Sequence, residues 1–208
     1  MHKKDVSNKI PIYKLTEPKD VLDYYDNWTK KDQYNKDMID WNYTAPQDSV
    51  VTFKKYAFKK NLKILDAGCG SGLVGIELKK EGYINIEGAD FSQSMLDLIP
   101  KDVYKSIDLV DLNRPLKYKA STYDAVICVG TFTYGHAKAH VLDEFVRITK
   151  KNSLICFTIN EGIYKKYGFD KKIRKLAENG SWDIKELFIS DYIASKDVNA
   201  WLCIAETQ

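Results

Sequence analysis

The chain has 208 residues, 44% of them apolar and 12% aromatic, which is enough for one packed domain and excludes a disordered chain. Its 32 basic and 29 acidic residues nearly balance, so the composition excludes the strongly basic character typical of proteins that hold nucleic acid by charge.

The four cysteines form no Cys-x-x-Cys pair, and three stand in apolar runs. We therefore expect reduced core cysteines, no bound metal and a cytoplasmic protein. The N-terminus is polar, and no apolar run approaches the ~20 residues of a membrane span, so we expect neither secretion nor membrane insertion.

The first sixty residues precede the regular part of the chain and are crowded with aromatic side chains. Residues 20–31 are predicted to be helical. Trp28, Tyr34 and Tyr43 carry apolar rings with a polar tip, as do several of their neighbours. Two interpretations stay open, a helix that packs on the sheet and a lid that closes over a ligand.

From residue 61 onward, predicted strands alternate with predicted helices, which indicates a mostly parallel sheet in a single α/β domain. The strands are expected at residues 63–65, 84–90, 104–111, 123–129 and 154–159, and the helices at 73–81, 93–98, 140–149 and 161–178. Two further strands, at 187–194 and 200–205, are joined by a short turn. Because a parallel return needs a crossover of a dozen residues or more, these two strands must pair antiparallel.

A glycine-rich turn, DAGCGSG at residues 66–72, lies between the first strand and the first helix of this sheet. Glycines at alternate positions let the backbone approach a ligand without interference from Cβ atoms. The helix that follows presents free N–H groups and the positive end of its dipole. Ligands of open α/β sheets bind at this edge, where the strands end.

Acidic residues end the next two predicted strands, in positions suited to binding a nucleoside. Asp90 can accept from both hydroxyls of a ribose, because a carboxylate offers two acceptor oxygens. Asp111 can accept from an adenine amino group, with Leu112 and Phe91 as apolar neighbours of the ring. Together with the glycine turn, these residues predict an adenosine-containing ligand.

A second interpretation of the turn is a nicotinamide dinucleotide site. Residues 70–75 satisfy G-x-G-x-x-G, and Asp90 follows Gly70 by 20 positions. In that family, however, the turn starts directly after the strand, whereas here residues 66–69 intervene. The antiparallel pair at the end of the chain also disagrees with a simple doubly wound dinucleotide fold. An NAD-dependent oxidoreductase is therefore kept only as the weaker alternative.

The motifs LDAGCGSG at 65–72, GADFSQSML at 88–96 and YDAVICVG at 123–130 resemble the first, second and fourth motifs of class I S-adenosylmethionine-dependent methyltransferases. The resemblance implies a Rossmann-like α/β fold, a seven-stranded mostly parallel sheet with an antiparallel last strand and helices on both faces. It also implies S-adenosyl-L-methionine as cofactor and methyl transfer as reaction. Residues 25–28, 34–37, 43–46, 129–136 and 180–182 resemble, more narrowly, the methyltransferase-like proteins of the Williams–Beuren syndrome region and their bacterial relatives.

The resemblance also implies which residues hold the cofactor. The glycine turn and the end of the fourth strand would line the methionine end, Asp66 would sit near its amino group, and Asp90 would bind the ribose. The aromatic residues of the first segment would close the site. The complete set implied is Asp66, Gly68, Gly70, Gly72, Asp90, Phe91, Met95, Asp111, Leu112, Val129, Gly130, Trp28, Tyr34 and Tyr43.

The chemistry of such a cofactor makes a general base optional and a metal unnecessary, because a sulfonium is already an activated methyl donor. For an acceptor that must lose a proton, His136 is the candidate base, with Tyr134 orienting the acceptor. The alternative is that His136 merely begins the following helix.

The acceptor is expected to be a small molecule rather than a nucleic acid or a protein. Methyltransferases of exocyclic base amines resemble one another in an Asn/Asp-Pro-Pro motif after the fourth strand, where this chain has VGTF at 129–132. The predicted domain also occupies the whole sequence and leaves no second domain for recognising a macromolecule. A non-catalytic module that binds S-adenosylmethionine stays open as an alternative, as do a monomer and a homodimer.

Overall fold

The computed structural model describes residues 6–208 and contains one seven-stranded sheet preceded by a helical N-terminal segment. The N-terminal segment contains three helices, α1 Pro18–Trp28, α2 Gln33–Asp40 and α3 Ala45–Lys54. The remaining elements are β1 Ile64–Ala67, α4 Leu73–Lys80, β2 Ile86–Asp90, α5 Gln93–Leu96, β3 Ser106–Leu109, β4 Tyr123–Phe132, α6 Val141–Ile148, β5 Thr149–Asn160, α7 Phe169–Glu178, β6 Trp182–Ile193 and β7 Val198–Thr207.

The strand order is β3-β2-β1-β4-β5-β7-β6, and six strands run in the same direction. Strands β1 to β5 pair parallel with their neighbours, whereas β7 lies between β5 and β6 and is antiparallel to both. The predicted Rossmann-like fold with an antiparallel last strand is therefore confirmed. This arrangement also differs from the simple doubly wound dinucleotide fold that the alternative interpretation would need.

Strand β4 lies at the centre of the sheet, and its continuous apolar run is buried along most of its length. A fully apolar strand of this kind suits a parallel sheet whose two faces are both covered. Phe132, at its end, packs against Phe145 of α6, Phe157 of β5 and Phe169 of α7. All four cysteines are buried and unpaired, as the apolar runs around three of them predicted.

Helix boundaries differ from the expectations in two places. The helix expected at 161–178 begins only at Phe169, because Gly168 adopts a left-handed conformation (φ 75°) and serves as its N-cap. The helix expected at 20–31 ends at Trp28, and Lys31 and Asp32, both with positive φ, separate it from α2. Helices α2 and α3 were not predicted.

The end of the N-terminal segment pairs with the hairpin between β6 and β7. Tyr43 forms a β-bridge with Ile193, and the backbone N–H of Thr44 donates to the Tyr192 carbonyl at 3.2 Å. The N–H groups of Ala194 and Ser195 donate in turn to the carbonyls of residues 42 and 41, each at 3.2 Å. The aromatic segment is thus attached across the carboxyl edge of the sheet. Among the described residues, no helix combines the length and apolar character needed to cross a membrane.

Candidate functional site

A cavity of about 610 Å³ lies at the carboxyl edge of the parallel strands. Its floor comes from the segments that follow β1, β2, β3 and β4, and its cover comes from the N-terminal segment and the β6–β7 hairpin. This volume lies within the range of pockets that enclose small ligands. The edge of the sheet at which a ligand was predicted therefore has a cavity.

The glycine turn approaches the end of β4 so closely that only glycine fits at Gly68. This residue has φ 76°, its N–H donates to the Ala89 carbonyl at 2.7 Å, and a Cβ atom at this position would overlap the Thr131 side chain. Gly68 and Gly70 line the cavity, as predicted. Gly72 is buried outside the lining, where it is the left-handed N-cap of α4.

Asp90 ends β2 with its carboxylate in the cavity lining. One oxygen accepts from the Gly70 N–H and the other from the Ser92 N–H, both at 2.9 Å. Each carboxylate oxygen can accept a second hydrogen bond, so both can also accept a hydrogen bond from a ligand. Burial raises the pKa of Asp90, and the backbone N–H groups oppose that shift by favouring the ionised form.

Asp66 lies outside the cavity lining, in a fully buried position at the end of β1. Its Oδ2 accepts from the Tyr104 hydroxyl at 2.6 Å, whereas its Oδ1 is buried with no hydrogen-bond partner among the described residues. Burial raises the pKa of Asp66 to about 7, and the nearby Asp90 carboxylate adds to the rise. An unpartnered buried carboxylate oxygen indicates that a donor is missing at this place.

The predicted apolar and nucleoside-contacting residues come together on one side of the cavity. Phe91, Met95, Asp111 and Leu112 all belong to the lining, and Val110 and Asn113, which were not predicted, lie beside them. The Asp111 carboxylate is partly exposed and accepts from the Asn113 N–H at 2.9 Å. Val129 and Gly130, at the end of β4, complete the floor.

The aromatic residues of the N-terminal segment lie over the glycine turn. Trp28, Tyr34 and Tyr43 all line the cavity, which supports the lid interpretation over simple packing on the sheet. A contact that the sequence did not reveal is the hydrogen bond from the Ser71 hydroxyl to Asn35 Oδ1, at 2.7 Å. It holds α2 directly against the turn.

His136 lines the cavity, and both of its ring nitrogens are hydrogen-bonded. Nδ1 lies 2.6 Å from the Tyr134 carbonyl oxygen, so it must carry the proton and donate. Nε2 is then the acceptor for the Tyr25 hydroxyl at 2.8 Å. Burial lowers the pKa of His136 to about 4, so the imidazole is neutral at physiological pH.

Tyr134, predicted to orient the acceptor, does not line the cavity. Its ring is buried against Tyr13 and Tyr167, and its contribution to the site is the backbone carbonyl that holds His136. The lining also contains residues that were not predicted as site residues, among them Tyr13, Tyr25, Thr133 and Tyr192. Tyr25 and Thr133 lie within the motifs at 25–28 and 129–136, whereas Tyr13 and Tyr192 lie outside every motif.

The close approach at Gly68 predicts an asymmetry between two glycine substitutions. Gly180 has nearly the same backbone conformation (φ 73°) but no atom within 4 Å of a Cβ added there. Gly180→Ala should therefore cost only the left-handed strain of about 1–2 kcal/mol in the free energy of unfolding. Gly68→Ala should cost at least about 1 kcal/mol more, from overlap with Thr131. Chemical unfolding of both variants measures the difference, and equal costs would contradict the described contact.

Comparison with known proteins identifies the family. Residues 64–152 match the family model described as a methyltransferase domain. The human methyltransferase-like protein 27 is 29% identical over 169 residues, covering 78% of this chain and 68% of that protein. The ribosomal protein L11 methyltransferase of Thermotoga petrophila is 31% identical over 140 residues, 66% of this chain and 50% of its own length.

Solved structures agree on the fold. The magnesium protoporphyrin IX methyltransferase of Synechocystis PCC 6803, solved with bound S-adenosylmethionine, superposes with a TM-score of 0.68 at 19% identity. The match covers 93% of this chain and 98% of that structure. Sheet order, glycine turn and family match lead to one conclusion: residues 64–152 are a methyltransferase domain of the class I, S-adenosylmethionine-dependent type.

Proposed function

We propose that this protein transfers the methyl group of S-adenosylmethionine to a small molecule held in the same cavity. The observation that carries the proposal is the cover formed by the N-terminal segment, which is attached by backbone hydrogen bonds to residues 192–195. A cover of this kind limits the acceptor to what the cavity of about 610 Å³ holds beside the cofactor. The relatives' names specify different acceptors, among them a ribosomal protein and 18S rRNA guanine, so the acceptor is inferred from the cavity of this chain.

The residues present fit the proposed cofactor. Gly68 and Gly70 leave room for close backbone approach, and Asp90 has free acceptor capacity for the two ribose hydroxyls. Phe91, Met95 and Leu112 offer an apolar place for the adenine, and Asp111 offers an acceptor at its edge. When bound, the cofactor supplies a methyl group on a sulfonium leaving group.

The chain's own contribution is to position the acceptor and to exclude water. Tyr43 lies over Gly130, with its hydroxyl 2.5 Å from where a Cβ on that glycine would be, so the cover touches the floor beside the turn. His136 cannot accept a proton directly while its Nε2 holds the Tyr25 hydroxyl. We therefore assign His136 the role of positioning Tyr25, in place of the direct general base that the sequence suggested.

The expected activity is formation of S-adenosylhomocysteine that depends on small metabolites. We would incubate the protein and S-adenosylmethionine with metabolites that pass an ultrafiltration membrane, and separately with ribosomes, total RNA and total protein. We expect turnover with the filtrate only, and its loss in Asp90→Ala but not in Asp124→Ala, whose carboxylate pairs with Lys150 away from the cavity. Turnover with a macromolecular fraction alone would contradict a small acceptor. Cofactor binding without turnover in any fraction would favour a non-catalytic module.

The raised pKa of Asp66 predicts that cofactor binding releases a proton. The folded-state pKa of about 7 lies above the ordinary 3.8, so this buried carboxylate costs stability progressively as the pH rises from about 4 through about 7. A cationic amino group beside Asp66 would favour the ionised form, so binding at pH 7 should release about half a proton. Calorimetry in buffers of different ionisation enthalpy measures this release.

Asp66→Asn serves as the control for that experiment, because the amide keeps the shape of the carboxylate but has no proton to release. Its binding enthalpy should be the same in every buffer. Buffer-independent binding by the unmodified chain, or release that persists in Asp66→Asn, would contradict a pairing between Asp66 and the cofactor's amino group.

A further inference from the structure

The part of the cavity beside Gly130 is lined by hydroxyls and aromatic rings. Tyr43 and Tyr192 meet here edge to face at 5.2 Å between ring centroids, and both hydroxyls lie over Gly130. Tyr13, Tyr34 and Thr133 line the same cavity. We call these five residues the acceptor compartment. The Thr133 side chain is buried, with only 4% of the residue exposed, and its hydroxyl lies within hydrogen-bonding reach of the Tyr13 hydroxyl. The acceptor compartment therefore presents aromatic faces and hydroxyl oxygens to a ligand.

The cavity is lined by more carboxylates than basic side chains. The carboxylates are Glu17, Asp90 and Asp111, of which only Asp90 is buried. Lys138 is the single Lys or Arg among the described lining residues, and it is exposed. His136 contributes no charge because its Nε2 accepts from Tyr25. An anionic acceptor would therefore lose its hydration without gaining a buried counter-charge, which is costly.

The cavity also lacks an open base. A hydroxyl or thiol acceptor has to give up a proton during methyl transfer. Both nitrogens of His136 are engaged, and Asp90 already accepts two backbone N–H groups. An unprotonated amine needs no such base, because its nitrogen carries a lone pair that attacks directly.

We propose that the acceptor is an amine, whose nitrogen lies among the rings and hydroxyls of the acceptor compartment. This inference rests on the proposed methyl transfer. A nitrogen–carbon bond forms from the amine lone pair, and the sulfur–carbon bond breaks with its electron pair passing to sulfur. The positive charge thereby moves from sulfur to nitrogen, and an ammonium that carries a hydrogen afterwards loses it to water. Aromatic faces and phenol oxygens stabilise a cation throughout, so the cavity never has to hold a net negative ligand.

The test uses three probes of nearly equal shape on the protein saturated with S-adenosylhomocysteine. Choline carries a trimethylammonium group, 3,3-dimethylbutan-1-ol is its neutral counterpart, and 3,3-dimethylbutanoate is an anion of similar size. We expect calorimetry to show choline binding about tenfold more tightly than the alcohol, as a desolvated cation–π site predicts. The carboxylate should bind more weakly than both. Choline binding no tighter than the alcohol, or tightest binding by the carboxylate, would overturn the proposal.

Substitutions at Tyr192 test whether choline binds beside the ring of this residue. Tyr192→Phe keeps the buried ring and should weaken choline binding less than Tyr192→Leu, which removes the ring and should lose most of the preference over the alcohol. Tyr56→Leu is the control, because Tyr56 hydrogen-bonds Glu186 outside the cavity lining. Choline affinity that is unchanged in Tyr192→Leu would place the cation elsewhere and overturn the assignment. Failure of S-adenosylhomocysteine itself to bind would instead count against the proposed function.

Discussion

The site depends on the backbone pairing between residues 41–44 and 192–195. Those hydrogen bonds, with the bridge between Tyr43 and Ile193, hold the N-terminal segment across the edge where the parallel strands end. This pairing includes Tyr43, whose hydroxyl lies over Gly130. The hydrogen bond from Ser71 to Asn35 fastens α2 to the glycine turn at a second place. The cavity is therefore shaped by two distant parts of the chain as much as by the sheet.

The polar groups of the cavity divide into an acidic part and a neutral, aromatic part. Asp90 and Asp111 lie at the strand ends that suit a nucleoside, whereas the acceptor compartment offers hydroxyls and rings. Burial keeps the Tyr25 and Tyr192 phenols protonated, because it raises their pKa values well above the ordinary range. The interior thus suits ligands that carry positive charge, including a sulfonium and an amine.

Much of the site could be predicted from local sequence. The glycine turn, Asp90 and the end of β4 follow from short motifs, because a strand, a turn and the start of a helix are formed by neighbouring residues. Gly72 shows the limit of such motifs. It belongs to the same turn, but it caps α4 outside the cavity lining. Motif spacing alone does not tell which turn residues face the ligand.

The remaining errors have tertiary causes. Tyr13 and Tyr192 lie outside the motifs in sequence. The pairing of residues 41–44 with 192–195 brings Tyr192 to the site, and Tyr13 packs against Tyr134. His136 was predicted as a base from its ordinary pKa. The hydrogen bonds to Tyr134 and Tyr25, which no sequence pattern indicates, make it a neutral and fully engaged imidazole. Helix α2 was missed because its sequence is mostly polar and short.

Cofactor binding is the most direct test of the proposed S-adenosylmethionine site. Calorimetry would compare S-adenosylmethionine, S-adenosylhomocysteine and NADH on the unmodified chain, on Asp90→Ala and on Asp124→Ala, with unfolding measured for each. We expect that both adenosyl compounds bind and that NADH does not. Asp90→Ala should weaken binding by about 1.5–3 kcal/mol, while Asp124→Ala leaves it unchanged. Preference for NADH, or binding that a folded Asp90→Ala variant retains in full, would contradict the proposed site.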